Sequence, residues 1–213
     1  MKIYDLSIPI KSSMVVWPGQ QKPKITVKTD SKADDVSITH FTLVSHNGTH
    51  VDAPKHFIKS GKTVDKLEVE KIVGSCKVLD LTNFFKTGGP AEIGWAHFGA
   101  IKVRKGDRIL IKTGNYKFLE GKKFTKDYIS LSADAAKNLA KRGISLIGID
   151  YFGIEKSGNE GHPVHKHLLE AEIVIVEGLN LKDVPKGEYI LACAPLKLEG
   201  ADASPARVFL IKE

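Results

Sequence analysis

The sequence predicts a mixed α/β fold, rich in strands and with few helices, as a single domain over residues 1–213. Short β-branched segments bounded by turn residues recur from end to end, whereas helical patterns are few. With 42% hydrophobic residues and a mean hydropathy of −0.14, the chain can bury a sizeable core. Strands and helices do not alternate regularly, so we expect neither a Rossmann fold nor a barrel.

Nine segments are predicted as strands because they are short, apolar or alternating, and flanked by turn residues: 2–6, 24–29, 40–45, 76–81, 108–112, 145–149, 172–176, 189–194 and 207–211. The clearest helix spans 132–142, with Ser132 as its N-cap and Gly143 as its C-terminal stop. A short helix is expected over 65–71. A third helix is expected to begin at Pro163, since proline suits a first helical turn.

Charge and hydropathy exclude several classes of function. The net charge of +7 comes mostly from lysines, because only four residues are arginine, and acidic residues lie between these lysines. This pattern is typical of a solvated surface and not of a nucleic-acid interface. No apolar run approaches the roughly 20 residues of a membrane helix. Cys76 and Cys193 lie in apolar strand-like segments, which favours buried free thiols in a reducing cytoplasm.

Seven of the eight histidines fall in two windows, and the first contains His46, His50 and Asp52. Gly48 and Pro54 argue against a helix here. In an extended chain these two imidazoles and the carboxylate point to one side, and Gly48 between them leaves that side open. Such a set of donors is suited to Zn²⁺ or Mn²⁺.

His56 follows Pro54, which is expected to turn the chain. It is either a further ligand or a free imidazole beside the metal, and we favour the free imidazole as a proton shuttle.

The second window contains His162, His165 and His167, followed by an apolar strand that ends at Glu177. A carboxylate at the end of such a strand is costly unless it is paired or bound to metal. Spacing alone leaves open which of the three histidines is a ligand.

The first window resembles a known signature. Seven fixed positions in the eleven residues from His46 to His56 follow the pattern HxGTHxDxPxH of the putative cyclase family, which includes bacterial kynurenine formamidases and isatin hydrolases. The similarity extends along nearly the whole chain through further segments: 17–19, 110–114, 147–150, 177–179, 194–197 and 200–205.

This resemblance implies a swivelling β/β/α domain that forms a homodimer or homotetramer, and it implies roles for particular residues. His46, His50 and Asp52 would bind metal, and His165 and Glu177 would complete the set because they reproduce the family's spacing of eleven intervening residues. Asp52 and Glu177 could bridge two ions. His56 matches the family's catalytic histidine, and Trp17 matches an aromatic residue of the substrate pocket.

One segment departs from the formamidases. They carry a Pro-Ser-rich stretch after the central aspartate, whereas Asp150 is followed here by Tyr151, Phe152, Gly153, Ile154 and Glu155. That loop should shape the substrate pocket, so its sequence decides whether the pocket accepts N-formylkynurenine.

The sequence therefore predicts a cytoplasmic, metal-dependent hydrolase of a small molecule, with one or two divalent ions per subunit. The expected reaction is cleavage of an amide-type C–N bond by metal-bound hydroxide, with His56 as general acid and base and an arylformamidase-like activity. The alternatives are a hydrolase of cyclic amides or lactones, and an inactive metal-binding protein.

Overall fold

The computed structural model describes residues 1–85 and 92–212. Its strands are β1 (Lys2–Asp5), β2 (Lys24–Thr29), β3 (Ile38–Thr42), β4 (His50–Asp52), β5 (Val73–Asp80), β6 (Glu92–Ile93), β7 (Arg108–Lys112), β8 (Ser130–Leu131), β9 (Leu146–Ile149), β10 (Val174–Glu177), β11 (Gly187–Pro195) and β12 (Ala203–Lys212). Its α-helices are α1 (Ser31–Asp34), α2 (Val69–Ile72), α3 (Ala133–Arg142) and α4 (Pro163–Glu170). The expectation of a strand-rich mixed α/β fold with few helices is confirmed.

The main sheet closes on itself. Eight strands are ordered β1-β12-β11-β5-β7-β9-β10-β4, and β4 also pairs with β12, so seven of them form a ring. The expectation that the fold would not be a barrel is wrong. The sheet closes because β12 pairs with two different strands. It pairs with β4 through Ala203–Pro205 and with β1 through its C-terminal residues. Such pairing between distant segments leaves no periodic signal in either strand.

Two apolar layers cover the two faces of this sheet. On the outer face, α3 and α4 pack against side chains such as Ile109, Ile147 and Ile175. The opposite face buries the alternate residues, among them Leu110, Leu146 and Val176. This alternation of neighbouring residues between the faces is the two-residue period of a strand.

Several predicted elements form where the local signals are strongest. The strands at 24–29 and 108–112 have the predicted bounds. In α3, the Ser132 hydroxyl accepts a hydrogen bond from the backbone N–H of Ala135 at 3.2 Å, and Gly143 ends the helix at a φ of 65°.

Other elements differ from the prediction, and β12 begins four residues before the expected 207–211. The helix expected over 65–71 is instead a 3₁₀ turn at Val64–Lys66 followed by α2. The strand expected over 40–45 is shifted toward the N-terminus and ends at Thr42. In the described part of the chain, no helix is long and apolar enough to cross a membrane.

Candidate metal centre and active site

Strand β4 lies between β10 and β12, and all three of its residues are buried. Val51 points into the inner layer, so His50 and Asp52 point to the outer face. His50 lies directly opposite Glu177 of β10, and its Nε2 is 3.5 Å from Glu177 Oε2. The pairing that closes the sheet therefore brings these side chains together.

His46 reaches the same point from a turn and not from a strand, so the expectation of an extended chain from His46 onward is wrong. The Asn47 side chain accepts a hydrogen bond from the backbone N–H of Val44 at 2.9 Å, and Gly48 takes a φ of 77°. These features bend the chain. Nevertheless His46 Nδ1 lies 3.0 Å from Asp52 Oδ1.

The second histidine window contributes His165, which is buried on α4. Its Nε2 is 3.4 Å from Glu177 Oε1 and 4.0 Å from Asp52 Oδ2. Of the three histidines in this window, His165 is the one whose ring reaches Asp52 and Glu177. His162 lies half-exposed at the edge of the site, where its Nδ1 is 3.8 Å from Glu155 Oε2.

These donor atoms fit a divalent cation. The Nε2 of His50 and the Oδ2 of Asp52 are buried yet have no hydrogen-bond partner, while Asp52 Oδ1 is contacted by the His46 ring at 3.0 Å. Buried polar atoms without partners are rare, because each costs free energy. Two groups of possible ligand atoms share Asp52: one joins it to His50 and Glu177, and the other joins it to His46 and His56. A shared carboxylate is the arrangement that can bridge two ions.

The electrostatics of the site are dominated by contacts between imidazoles and carboxylates. Burial favours the neutral form of His46, but the carboxylates of Asp52 and Asp202 raise its pKa to about 10. Burial has the same effect on His165, and Glu155, Glu177 and Asp52 raise its pKa to about 10. Without a cation, protons on these imidazoles neutralise the buried carboxylates, and a divalent cation competes for the same lone pairs.

His56 ends a short 3₁₀ turn that begins at Pro54. Its ring centroid lies 4.1 Å from that of His46, and its side chain is 26% exposed. The ring lines a cavity of about 190 Å³ together with His46 and His50, so it borders both the donor cluster and the open space.

Trp17 forms part of the wall of this cavity. Its ring packs edge-on against Phe124 and also lies over Gly153, where a Cβ would be 2.6 Å from Trp17 Cζ3. Phe57 and His162 line the same cavity. The loop that departs from the formamidases thus provides a floor for the tryptophan.

Two carboxylates that the sequence did not single out complete the site. Asp202 Oδ2 lies 3.0 Å from His46 Nε2 and 3.2 Å from His56 Nδ1. Glu155 Oε2 lies 2.7 Å from His165 Nδ1, and Glu155 Oε1 accepts the backbone N–H of Val164 in the first turn of α4. Asp202 lies in a segment that resembles the family pattern, and Glu155 lies in the segment that departs from it. Nothing in their spacing indicates which imidazole each one contacts.

The comparisons with known proteins agree along the whole chain. The family model described as Putative cyclase matches residues 4–156. The chain is 32% identical over 212 residues to a protein named kynurenine formamidase from Salinibacter ruber, covering 99% of this chain and 97% of the relative. A protein of the same name from Bacillus cereus is 31% identical over 207 residues, covering 97% of this chain and 95% of the relative.

Solved structures show the same fold. A potential metal-dependent hydrolase with cyclase activity superposes with a TM-score of 0.85 at 38% identity, covering 100% of this chain and 98% of the other. An isatin hydrolase bound to the product analogue thioisatinate gives a TM-score of 0.88 at 21% identity, covering 100% of this chain and 93% of the other. The second likeness is one of fold alone.

Proposed function

The chain belongs to the putative cyclase family, and from this premise we propose that it hydrolyses an aryl formamide of the N-formylkynurenine type. The observation that carries the proposal is the cluster of buried imidazoles and carboxylates beneath a cavity with an aromatic wall, in which His50 Nε2 and Asp52 Oδ2 have no hydrogen-bond partner. The relatives named kynurenine formamidase, similar over their whole length, supply the substrate class.

The residues that would hold the metal are His46, His50, Asp52, His165 and Glu177, and one or two ions of Zn²⁺ or Mn²⁺ suit this mixture of imidazoles and carboxylates. When bound, a divalent cation supplies a Lewis acid that polarises a carbonyl group and makes water more acidic. The buried position of the carboxylates would keep the site dry and thereby strengthen its electrostatics.

His56 would move the proton. Its partly exposed ring borders both the cavity and the donor cluster, so it can take a proton from the attacking water and give it to the departing aryl amine. Trp17 would orient the substrate by packing against its aromatic ring.

A cyclic amide is the second candidate, and the size of the cavity favours it. At about 190 Å³ the cavity is smaller than the roughly 300–1,000 Å³ of ordinary ligand pockets. A compact bicyclic amide would fill such a space without the amino-acid side chain that N-formylkynurenine carries.

The test is hydrolysis of N-formyl-L-kynurenine, followed by absorbance, by protein loaded with Zn²⁺ or Mn²⁺. Isatin is assayed in parallel, and an EDTA-treated sample is the control. We expect turnover that depends on metal, with kcat/KM of about 10⁴ M⁻¹s⁻¹ or above. Circular dichroism of the EDTA-treated sample should show most of the fold retained, as expected of a catalytic site and not of a structural one.

The outcomes separate the candidates. Turnover of isatin alone would replace the aryl formamide by the cyclic amide. Loss of the fold on chelation, with no turnover of either substrate, would favour an inactive metal-binding protein and would contradict the proposal.

A further inference from the structure

One carboxylate oxygen is shared by two imidazoles at the edge of the donor cluster. Asp202 Oδ2 is 3.0 Å from His46 Nε2 and 3.2 Å from His56 Nδ1, while Asp202 Oδ1 accepts a hydrogen bond from the Ser45 hydroxyl at 3.1 Å. Both distances are those of hydrogen bonds, and one carboxylate oxygen has two lone pairs, so it can accept from both rings at once.

The closure of the sheet fixes the position of Asp202. It immediately precedes β12, whose first residue, Ala203, lies opposite Asp52. The backbone carbonyl of Asp202 accepts the N–H of Ala53 at 2.9 Å. The carboxylate is therefore attached to the same backbone pairing that positions the buried Asp52.

An ionised carboxylate can only accept hydrogen bonds, so each ring nitrogen that faces Asp202 must carry a hydrogen. When the ring binds a metal ion or accepts a proton, it does so through the other nitrogen, which then supplies the lone pair. For His46 this is Nδ1, which lies 3.0 Å from Asp52 Oδ1 in the donor cluster. For His56 it is Nε2, which is then free to accept a proton.

We propose that Asp202 is a positioning residue that sets the tautomers of both His46 and His56. Its hydrogen bond with His46 directs the Nδ1 lone pair of that ring toward the metal site. Its hydrogen bond with His56 leaves the Nε2 of that ring as the proton acceptor. The role at His56 rests on the proposed function, whereas the role at His46 concerns metal binding and does not depend on the substrate. A carboxylate behind a ligating histidine is a general means of orienting the ring and raising its basicity.

The test compares Asp202→Ala and Asp202→Leu with the wild type. Neither side chain can accept a hydrogen bond, so both hydrogen bonds from the imidazoles are lost, and leucine keeps the branching of aspartate at Cγ. Asp183→Ala is the matched control, because Asp183 is exposed and lies outside the residues that line the cavity.

Two readouts do not require turnover. We expect the affinity for Zn²⁺, measured by competition with a chromophoric chelator, to fall about 10- to 100-fold in both variants. Long-range ¹⁵N–¹H spectra of the zinc-loaded wild type should show His56 protonated on Nδ1, and Asp202→Ala should lose that preference. If a substrate is found, kcat should fall about 10- to 100-fold with little change in KM.

Unchanged zinc affinity together with an unchanged His56 tautomer would overturn the proposal. Should N-formyl-L-kynurenine prove not to be a substrate, the affinity and the spectra still decide the role of Asp202. If Asp202→Ala fails to fold, the Leu variant decides it alone.

Discussion

At the residue scale, the buried pair Asp52 and Glu177 constrains what this site can do. Two carboxylates with less than a twentieth of their surface exposed are costly unless cations or protonated imidazoles face them. His50 and His165 do face them, at 3.4 to 4.0 Å. These distances are longer than those of good hydrogen bonds. A cation bound between the lone pairs therefore explains them better than hydrogen bonds between the imidazoles and the carboxylates.

The different roles of the metal ligands and of the proton shuttle give the first prediction. His50→Ala should lose bound metal, because it removes a buried donor from the cluster. His56→Ala should keep metal and lower kcat about 10²- to 10⁴-fold, because its ring borders the cavity. Metal content by plasma mass spectrometry and turnover by absorbance are measured on both variants.

His40→Ala is the matched control, since His40 is exposed on β3. It should change neither quantity. Loss of metal from His56→Ala would make His56 a ligand and would refute its role as a free shuttle.

The two thiols give a prediction about their reactivity. Cys76 and Cys193 are free and buried, and burial raises the pKa of each thiol to about 12. At pH 8 about one molecule in 10⁴ then carries a thiolate at either position, so the native protein should not react with Ellman's reagent. In guanidinium chloride both thiols return to a pKa near 8.5 and should react at once. Rapid reaction of the native protein would mean that β5 or β11 opens readily.

At the element scale, strong local signals predicted most of the helices and strands but not β4, and the pairing of distant segments positions the site. Helix α3 could be predicted because its cap residues and spacing act within the segment. The first window predicted that His50 and Asp52 share a face, which holds for β4. It could not predict that His46 lies in a turn, because that turn depends on the Asn47 side chain and on Gly48. Glu155 was missed because only the fold of its loop brings it to His165.

Gly178, directly after β10, provides the prediction at this scale. Its φ is +71°, and a Cβ there would lie 2.5 Å from the backbone oxygen of Gly48. Gly178→Ala should therefore destabilise the protein by more than the roughly 1–2 kcal/mol of a left-handed conformation alone, because β10 and the Gly48 turn must separate. Zinc affinity should also fall, since Glu177 and His50 lie beside the two glycines.

The control is Gly106→Ala, whose φ is +81° and whose Cβ would meet nothing within 4 Å. Thermal unfolding of both variants isolates the steric part, at about 2–4 °C per kcal/mol for a chain of this size. If Gly178→Ala is no less stable than Gly106→Ala, the close approach of the two turns does not matter.

At the scale of the whole molecule, the closure of the sheet explains why the site exists. Residues 50–52 and 203–205 are separated by about 150 positions, yet their pairing places Asp202 and Ala203 beside Asp52. No pattern within either segment predicts this contact, and neither 50–52 nor 203–205 was predicted as a strand, so the prediction against a barrel was wrong. The resemblance to a family, and not periodicity, indicated that both windows belong to one centre.

One feature outside the barrel bears on the predicted homodimer or homotetramer. Strands β2 and β3 pair with each other and, within the described ranges, with no other strand. Ile25 and Phe41 face each other across this pair, and Val27 lies on the same face, with 41%, 62% and 61% of their surfaces exposed. An isolated two-stranded sheet is marginally stable in water. A cavity of about 610 Å³ lies between these strands and the main sheet, and Ile25, Phe41 and Leu196 line it.

We expect this apolar face to be covered by a second copy of the chain, as the resemblance to a family of dimers and tetramers implies. The double variant Val27→Lys/Phe41→Lys places two charges on the face and should form a smaller assembly than the wild type in size-exclusion chromatography with light scattering. Val69→Lys, at a residue 63% exposed on α2, is the matched control and should keep the mass of the wild type. A wild type that is monomeric at tens of micromolar would refute the predicted assembly. A double variant with the mass of the wild-type assembly would place the interface elsewhere, because two lysines buried against a partner without counter-charges would cost several kcal/mol.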